Sequence, residues 1–472
     1  MTEDRAHSLG MRILFAMLTL AVLPLCAARP NFLVIVTDDQ RPDTIGALGN
    51  PRIATPNLDR LVKAGVSFTN FLCSNPLCVP SRAEILTGCT GFRNGVLGLG
   101  RERMDPKLKR WPEAMREAGY HAWYSGKWMN DGKPKARGYE ETSGLFGGGG
   151  GNWKRGQVVR GRKGRPITGY RNWTFKTDSG SVELHKGVGL GPLTDKHIAD
   201  GALEFLKRKV DRPFFLHVNF TGPHDPLFYP PGYAKKYTGA MMRLPANFKP
   251  RHPFDHGNFD GRDERLLPWP RTKADVLDEL AVYYAVVDQI DKQVGRLIGQ
   301  LRNDGRLANT VIIFTSDHGL AVGSHGLMGK QNMYDHTIRV PFIISGPGIP
   351  KGRSTAAFGY LRDMFPTVCQ LAGITVPATV RAKSLVPVIT GKTKIVYPLG
   401  YGYFRDVQRM MRDERWKLTW YPKIKKYQLF DLWADPHELR NLANDPDQRE
   451  RMARMRGQMR EWFAGQGDPV FR

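Results

Sequence analysis

Phe32-Leu33-Val34-Ile35-Val36-Thr37-Asp38-Asp39 is an apolar run that passes with only Thr37 between into a pair of carboxylates. A short, unbroken apolar run rich in β-branched residues reads as a strand buried on both faces, as in a parallel sheet covered by helices. In such sheets ligands bind beyond the carboxyl ends of the strands, where Asp38 and Asp39 stand. Adjacent carboxylates repel, and a divalent cation relieves the repulsion; an Asp-Asp pair by itself also begins many turns. The run Thr310–Ser316 repeats the arrangement and ends in Asp317-His318, so two strand ends supply Asp, Asp, Asp and His. An oxygen-rich donor set favours calcium or magnesium over zinc.

Outward from this stretch, strand-like runs at residues 66–71, 121–125 and Phe214–Asn219 alternate with helix-like runs at 57–64, after Pro80, and at 199–209. The expected fold class is α/β: a large mixed, mostly parallel sheet flanked by helices, with a smaller C-terminal antiparallel sheet plus helix. Val276, Leu280, Tyr284, Val287, Ile290, Val294, Ile298 and Leu301 recur at helical spacing, and Thr272 with Asp275 resembles a capping box. The pattern predicts one long helix over 273–301 whose stripe serves packing. Past residues 386–395, short strand-like pieces at 409–411, 416–420 and 428–431 lead into a terminal helix. The expected division is therefore residues 29–388 and 389–472.

At 472 residues, 41% hydrophobic and 10% aromatic, the composition is that of a globular chain, neither fibrous nor disordered. Residues 1–28 read as a secretory signal peptide: Arg5 and Arg12 precede an apolar run, 13–25, that ends in Cys26-Ala27-Ala28. That run is too short to span a bilayer. Met11 could be the start, and Pro24-Leu25 lack the small residue a lipid-modification site at Cys26 needs, so cleavage is expected near Ala28. No other stretch reads as a transmembrane anchor, and the expected location is periplasmic or secreted. Cys73, Cys78, Cys89 and Cys369 then remain, too few for a disulfide framework, with one bridge, Cys73 to Cys89, left open. The net charge of +25 expects a polyanion. Export directs that expectation to anionic polysaccharide and away from nucleic acid. Residues 147–151 are five glycines, and from there to Arg171 come Lys154, Arg155, Arg160, Arg162, Lys163 and Arg165 without an acidic residue. This reads as a mobile basic loop, either an insertion without a role or a wall of the site.

Cys78-Val79-Pro80-Ser81-Arg82-Ala83-Glu84-Ile85-Leu86-Thr87-Gly88 carries the chemistry. Pro80 suits the first turn of a helix, which puts Cys78 just before a helix N-terminus, where free N–H groups favour an anion. Arg82, four residues on, returns to the same face and can hold an oxyanion. This segment resembles the signature of the formylglycine-dependent, type I sulfatases of the alkaline phosphatase-like superfamily. In those enzymes a maturation enzyme reads Cys-x-Pro-Ser-Arg and oxidises the cysteine to formylglycine. Asp38-Asp39, Ser125-Gly126-Lys127-Trp128, Pro223-His224-Asp225-Pro226, Asp317-His318 and Gly329-Lys330-Gln331 are similar to the family's other motifs in the family's order.

The resemblance implies a sulfuric ester hydrolase acting on a sulfated carbohydrate. It implies calcium, with magnesium possible, held by Asp38, Asp39, Cys78, Asp317 and His318, though relatives often carry Asn where this chain has His318. It also implies 3-oxoalanine (formylglycine) at position 78, Lys127 and Lys330 on the sulfate oxygens, Arg82 beside the nucleophile, and His224 on the sulfate or the leaving group. Hydrated formylglycine would attack sulfur in line, and the sulfate ester so formed would be lost by collapse to the aldehyde. The implied partners are a sulfated glycan and a formylglycine-generating or anaerobic maturating enzyme. One departure stands out: the family's Gly-Lys-Trp-His continues here with Met129, and neither His121 nor His325 is placed by sequence as a substitute. Two alternatives stay open: a phosphodiester or phosphonate monoester hydrolase of the same superfamily, and a catalytically silent sulfoglycan-binding protein.

Overall fold

The computed structural model describes residues 29–471 apart from 101, 149–160, 166 and 168. The signal-peptide reading and Lys154, Arg155 and Arg160 lie outside the described residues. The sequence places strands β1 (Asn31–Thr37), β2 (Gly65–Leu72), β3 (His121–Trp128), β4 (Glu141–Gly147), β5 (Thr174–Lys176), β6 (Phe214–Asn219), β7 (Thr310–Ser316), β8 (Phe342–Ser345) and β9 (Arg353–Tyr360). Among the described residues these form one sheet in the order β5-β4-β3-β6-β1-β7-β8-β2-β9. The run from β4 to β7 is parallel, whereas β5 and β8 run against their neighbours. The sheet is the mixed, mostly parallel one expected.

Alternation along β1 explains why the strand reads as unbroken apolar sequence. Leu33 and Ile35 join a core on one face with the helices Thr194–Leu206 and Lys273–Asn303. Phe32, Val34 and Val36 join a core on the other face with Trp111, Met115, Met364 and Phe365. With helices on both sides, neither set of side chains meets water. The long helix begins at Lys273, where the Thr272 hydroxyl accepts from the Asp275 amide at 3.1 Å. It does more than pack: Tyr283, off the predicted stripe, donates its hydroxyl to the backbone oxygen of Asp39 and accepts from the amide of Arg41 at 2.9 Å.

One open point is closed and one expectation is corrected. Cys73 and Cys89 are buried free thiols, bonded to the carbonyl oxygens of Asn75 and Thr379, and are not a disulfide. The described end of the basic loop is pinned: Arg165 pairs with Asp275 and Glu279 at 2.9 and 2.8 Å, Lys163 with Asp278 at 2.9 Å, and Arg162 with Asp278 and Glu279. The acidic partners absent from the segment are supplied by the long helix.

The small sheet is antiparallel, β10 (Gly400–Phe404), β11 (Gln408–Arg412), β12 (Trp416–Tyr421) and β13 (Lys426–Asp431), with the helix Arg449–Gly465 laid against it. A buried ionic network ties this sheet to the segment after Lys330. The Asp335 carboxylate receives Arg412 at 2.9 and 2.8 Å and Lys417 at 2.9 Å. Lys417 also pairs with Glu438 at 2.6 Å, and Glu438 accepts the Asp335 amide at 2.8 Å. Removing one member of a buried network strands its partners. Asp335→Ala is therefore expected to cost about 3–5 kcal/mol, read as a lowered melting temperature, whereas the exposed pair Lys423–Asp406 should be removable with almost no change.

Candidate active site

The carboxyl ends of the central strands converge. β1 and β7 pair in register through Thr37 and Ser316, which sets Asp38 and Asp39 beside Asp317 and His318. The Asp39 amide donates to Asp317 Oδ1 at 3.2 Å, and the Gln40 amide to Ser316 Oγ at 2.9 Å. Asp39 turns the chain with φ 67°, a region that Asp enters more readily than most residues. On β3 the register with β4 slips between Ser125 and Gly126. A Cβ at Gly126 would come to 2.0 Å from the Asn219 carbonyl, so glycine there allows the irregularity that precedes Lys127. The helix Cys78–Thr87 starts at Cys78 itself, one residue earlier than expected, with Leu77 as its extended N-cap.

All the side chains expected at the site come together. Cys78 Sγ lies 3.5 Å from Asp38 Oδ1 and 3.4 Å from His318 Nε2. Lys127 donates to Asp38 Oδ2. Lys330 donates to both oxygens of Asp39 at 2.8 and 3.0 Å, and His318 Nδ1 is 3.0 Å from Asp39 Oδ1. Arg82 clasps Asp317 with Nε at 3.0 Å and Nη2 at 2.9 Å, while its Nη1 donates to Asn219. His224 Nε2 is 3.8 Å from Asp39 Oδ2, and its Nδ1 is 2.6 Å from the Asp225 carbonyl. Cys78, Arg82, Lys127, His224 and Lys330 are each at most 4% exposed, and Asp38, Asp39, Asp317 and His318 are fully buried.

Charge explains how so many ionisable groups share a dry site. Burial pushes Asp38 toward the neutral form, but Lys127, His224, Arg82 and Lys330 outweigh it and hold its pKa well below the usual range. Asp39 is lowered against the same burial penalty by Lys330, His224 and His318. Burial and the Asp38 charge raise Asp317 to about 6, with His318 and Arg82 opposing. Burial and Asp38 also oppose ionisation of Cys78, yet Lys127, Lys330 and His318 bring its thiol well below the ordinary value. Lys127, Lys330 and His318 thus place positive charge near position 78, which suits an anionic group there.

Several contributors are not legible in the sequence. Tyr170 donates to Asp38 Oδ2 at 3.1 Å, and Arg262 approaches His224 Nε2 at 3.2 Å and Asp225 Oδ1 at 3.1 Å. Tyr170 and Arg262 carry no motif and Asn219 none that points to this site; only the place of Asn219 at the end of β6, and of the others in loops without a hydrophobic period, is a signal. His121 sits at the opposite end of β3, 3.2 Å from Glu140, and His325 stacks on Tyr334 with ring centres 3.8 Å apart, so neither joins the cluster.

The donor set fits a divalent cation. One ligand atom each from Asp38, Asp39, Cys78 and His318 lies within 4.8 Å of every other. Asp317 is beside them but gives its carboxylate to Arg82. With a thiol at position 78 the set is mixed; with oxygen there it becomes oxygen-rich and suited to calcium.

The sulfatase family model matches residues 30–374, and a model described as N-sulphoglucosamine sulphohydrolase, C-terminal, matches residues 323–464. The chain belongs to the sulfatase family and is a hydrolase of sulfate esters. An arylsulfatase of Clostridium perfringens is 29% identical, over 91% of this chain and 93% of its own. An N-acetylglucosamine-6-O-sulfatase of Bacteroides thetaiotaomicron is 27% identical, over 88% and 82%. A protein solved in complex with its substrate D-glucosamine-2-N,6-O-disulfate superposes with a TM-score of 0.74 at 24% identity, over 93% and 99%. A phosphonate monoester hydrolase from Silicibacter pomeroyi does so with 0.76 at 22%, over 93% and 96%. The fold is thus the one these two solved proteins share. Among the described residues no helix is long and apolar enough to cross a membrane.

Calcium at a hundredfold excess over its dissociation constant should stabilise the chain by about 2.7 kcal/mol, seen as a rise in melting temperature that a chelator reverses. Asp39→Asn, which removes a central carboxylate of the cluster, should melt at the same temperature with and without calcium.

Proposed function

We propose that this chain is an exported sulfatase that removes sulfate from a sulfated carbohydrate, with formylglycine derived from Cys78 as its nucleophile and calcium as its cation. The observation that carries the reading is the setting of Cys78: first residue of a helix, between Asp38 and His318, ringed by Arg82, Lys127 and Lys330. A cation held by Asp38, Asp39, His318 and position 78, with Asp317 alongside, would neutralise the carboxylates and make an oxygen at position 78 more acidic. Formylglycine, as its hydrate, would supply one hydroxyl to attack sulfur and a second whose collapse releases sulfate.

The remaining work falls to the chain's own side chains. Lys127, on Asp38, and Lys330, on Asp39, would grip the sulfate oxygens, while Arg82, paired with Asp317, keeps positive charge near the nucleophile. In this reading a protonated His224, with Nδ1 2.6 Å from the Asp225 carbonyl and Nε2 3.2 Å from Arg262 Nη2, would give the Nε2 proton to the departing sugar oxygen as Arg262 moves off. The burial of every one of these groups excludes water from the transfer.

Support for a sugar substrate comes from the relative that acts as an N-acetylglucosamine-6-O-sulfatase and from the strongly basic composition. Export rests on the apolar run after Arg12, and the maturation enzyme on the Cys-x-Pro-Ser-Arg order at Cys78. The division at residues 388 and 389 belongs to the same reading, the small sheet following it from Gly400. The fold shared with a phosphonate monoester hydrolase makes a phosphodiester the necessary control.

Coexpression with a maturation enzyme should convert Cys78 to the aldehyde, read by peptide mass spectrometry, and give sulfate release from sulfated glycans above any phosphodiester cleavage. Cys78→Ala should abolish release, and a converted protein inert on every sulfate ester would defeat the reading. His224→Ala should slow sugar sulfates by about 100-fold or more but nitrophenyl sulfate far less, since nitrophenolate departs without a proton.

A further inference from the structure

Met129 follows β3 directly, and its thioether has no N–H or O–H to donate. The space beside it is filled from elsewhere. Tyr170 Oη lies 3.9 Å from Met129 Sδ and donates to Asp38 Oδ2 at 3.1 Å. Its ring stands edge-on to His224 with centres 4.6 Å apart, and the Lys127 ammonium is 5.1 Å from the ring centre. Tyr170 therefore touches Asp38, Lys127, His224 and Met129, all from a loop with no sequence tie to any of them.

The loop is built to hold that ring in place. Tyr170 is buried and sits at φ 56°, a left-handed conformation that a bulky residue keeps only when its surroundings impose it. Trp173 meets the ring at 90° with centres 4.7 Å apart, and the Trp173 amide donates to the Tyr170 carbonyl at 3.0 Å. Arg171 Nε closes the turn on the Ile167 carbonyl at 2.6 Å.

Among the described residues, the donors on Asp38 Oδ2 are Lys127 and Tyr170. Lys127 is the group that the sulfatase reading commits to the substrate. Once it turns to the sulfate, Tyr170 alone of these two remains to fix the Asp38 carboxylate, whose other oxygen faces Cys78 at 3.5 Å.

We propose that Tyr170 is a positioning residue that supplies, from the C-terminal end of the basic segment, the polar contact on Asp38 that Met129 cannot make, orienting Asp38 and through it position 78. The inference rests on the sulfatase reading, and the two are tested apart. Turnover of nitrophenyl sulfate by the converted wild-type enzyme tests the reading; the variants are compared only against that active enzyme. Tyr170→Phe keeps the ring packing and should retain the melting temperature without calcium and the extent of Cys78 conversion. It should lower kcat by about 10- to 100-fold, with KM changed less than twofold, and shrink the calcium-induced rise in melting temperature. Met129→His should recover much of the lost kcat in the Tyr170→Phe background while adding little to the wild type. A Tyr170→Phe enzyme within twofold of wild type in kcat and with an unchanged calcium response overturns the proposal. So do Tyr170→Phe and Met129→His effects that simply add, because independent sites do not compensate one another.

Discussion

Mutual neutralisation of buried charge is the constraint on which this structure turns. Asp38, Asp39 and Asp317 are fully buried, and so, within a few per cent, are Arg82, Lys127 and Lys330. Either set alone would carry a desolvation penalty of several kcal/mol per ion; together each carboxylate has a cation in contact. The site is therefore organised by folding before any ligand arrives. On the proposed reading an anionic ester would take the lysines and a divalent cation the carboxylates they leave.

The rest of the molecule can be understood as what holds those pairs at fixed distance. Register between β1 and β7 aligns the two acidic strand ends, and the irregularity at Gly126 comes just before Lys127. The helix Cys78–Thr87 contributes Cys78 and Arg82 from one face. Lys330 depends on the longest chain of support. The segment that follows it is anchored through Asp335 to Arg412 and Lys417 of the small sheet, so the C-terminal strands act on the site without contributing a group to it. An ionic anchor of this kind contributes specificity of docking more than net stability, because its members are as costly to bury as those of the site itself.

How far the sequence could be read follows from the range of each interaction. The buried strands, the long helix with its Thr272 cap and the Cys78 helix are local patterns of period, capping and Pro placement, legible within a dozen residues. The acidic strand ends were legible because topology always brings carboxyl ends of parallel strands to one edge. The pinning of the described end of the basic segment, Arg162 to Arg165, is not legible because its partners Asp275, Asp278 and Glu279 lie over a hundred residues on, in the helix Lys273–Asn303. Tyr170 was missed for the same reason, being 132 residues from the carboxylate it holds, and Asn219 is 137 residues from Arg82.

The sequence by itself thus named candidates for the chemistry, groups suited by type to attack, hold a cation, grip an oxyanion or give a proton, and the strand ends that carry Asp38, Asp39, Asp317 and His318. Tertiary structure alone decided the pairing of those groups, the place of Tyr170 between Asp38 and Met129, and the free state of Cys73 and Cys89. Chemistry is a property of a residue and its near neighbours. Pairing between distant residues is set by packing of the whole core, which no single stretch encodes.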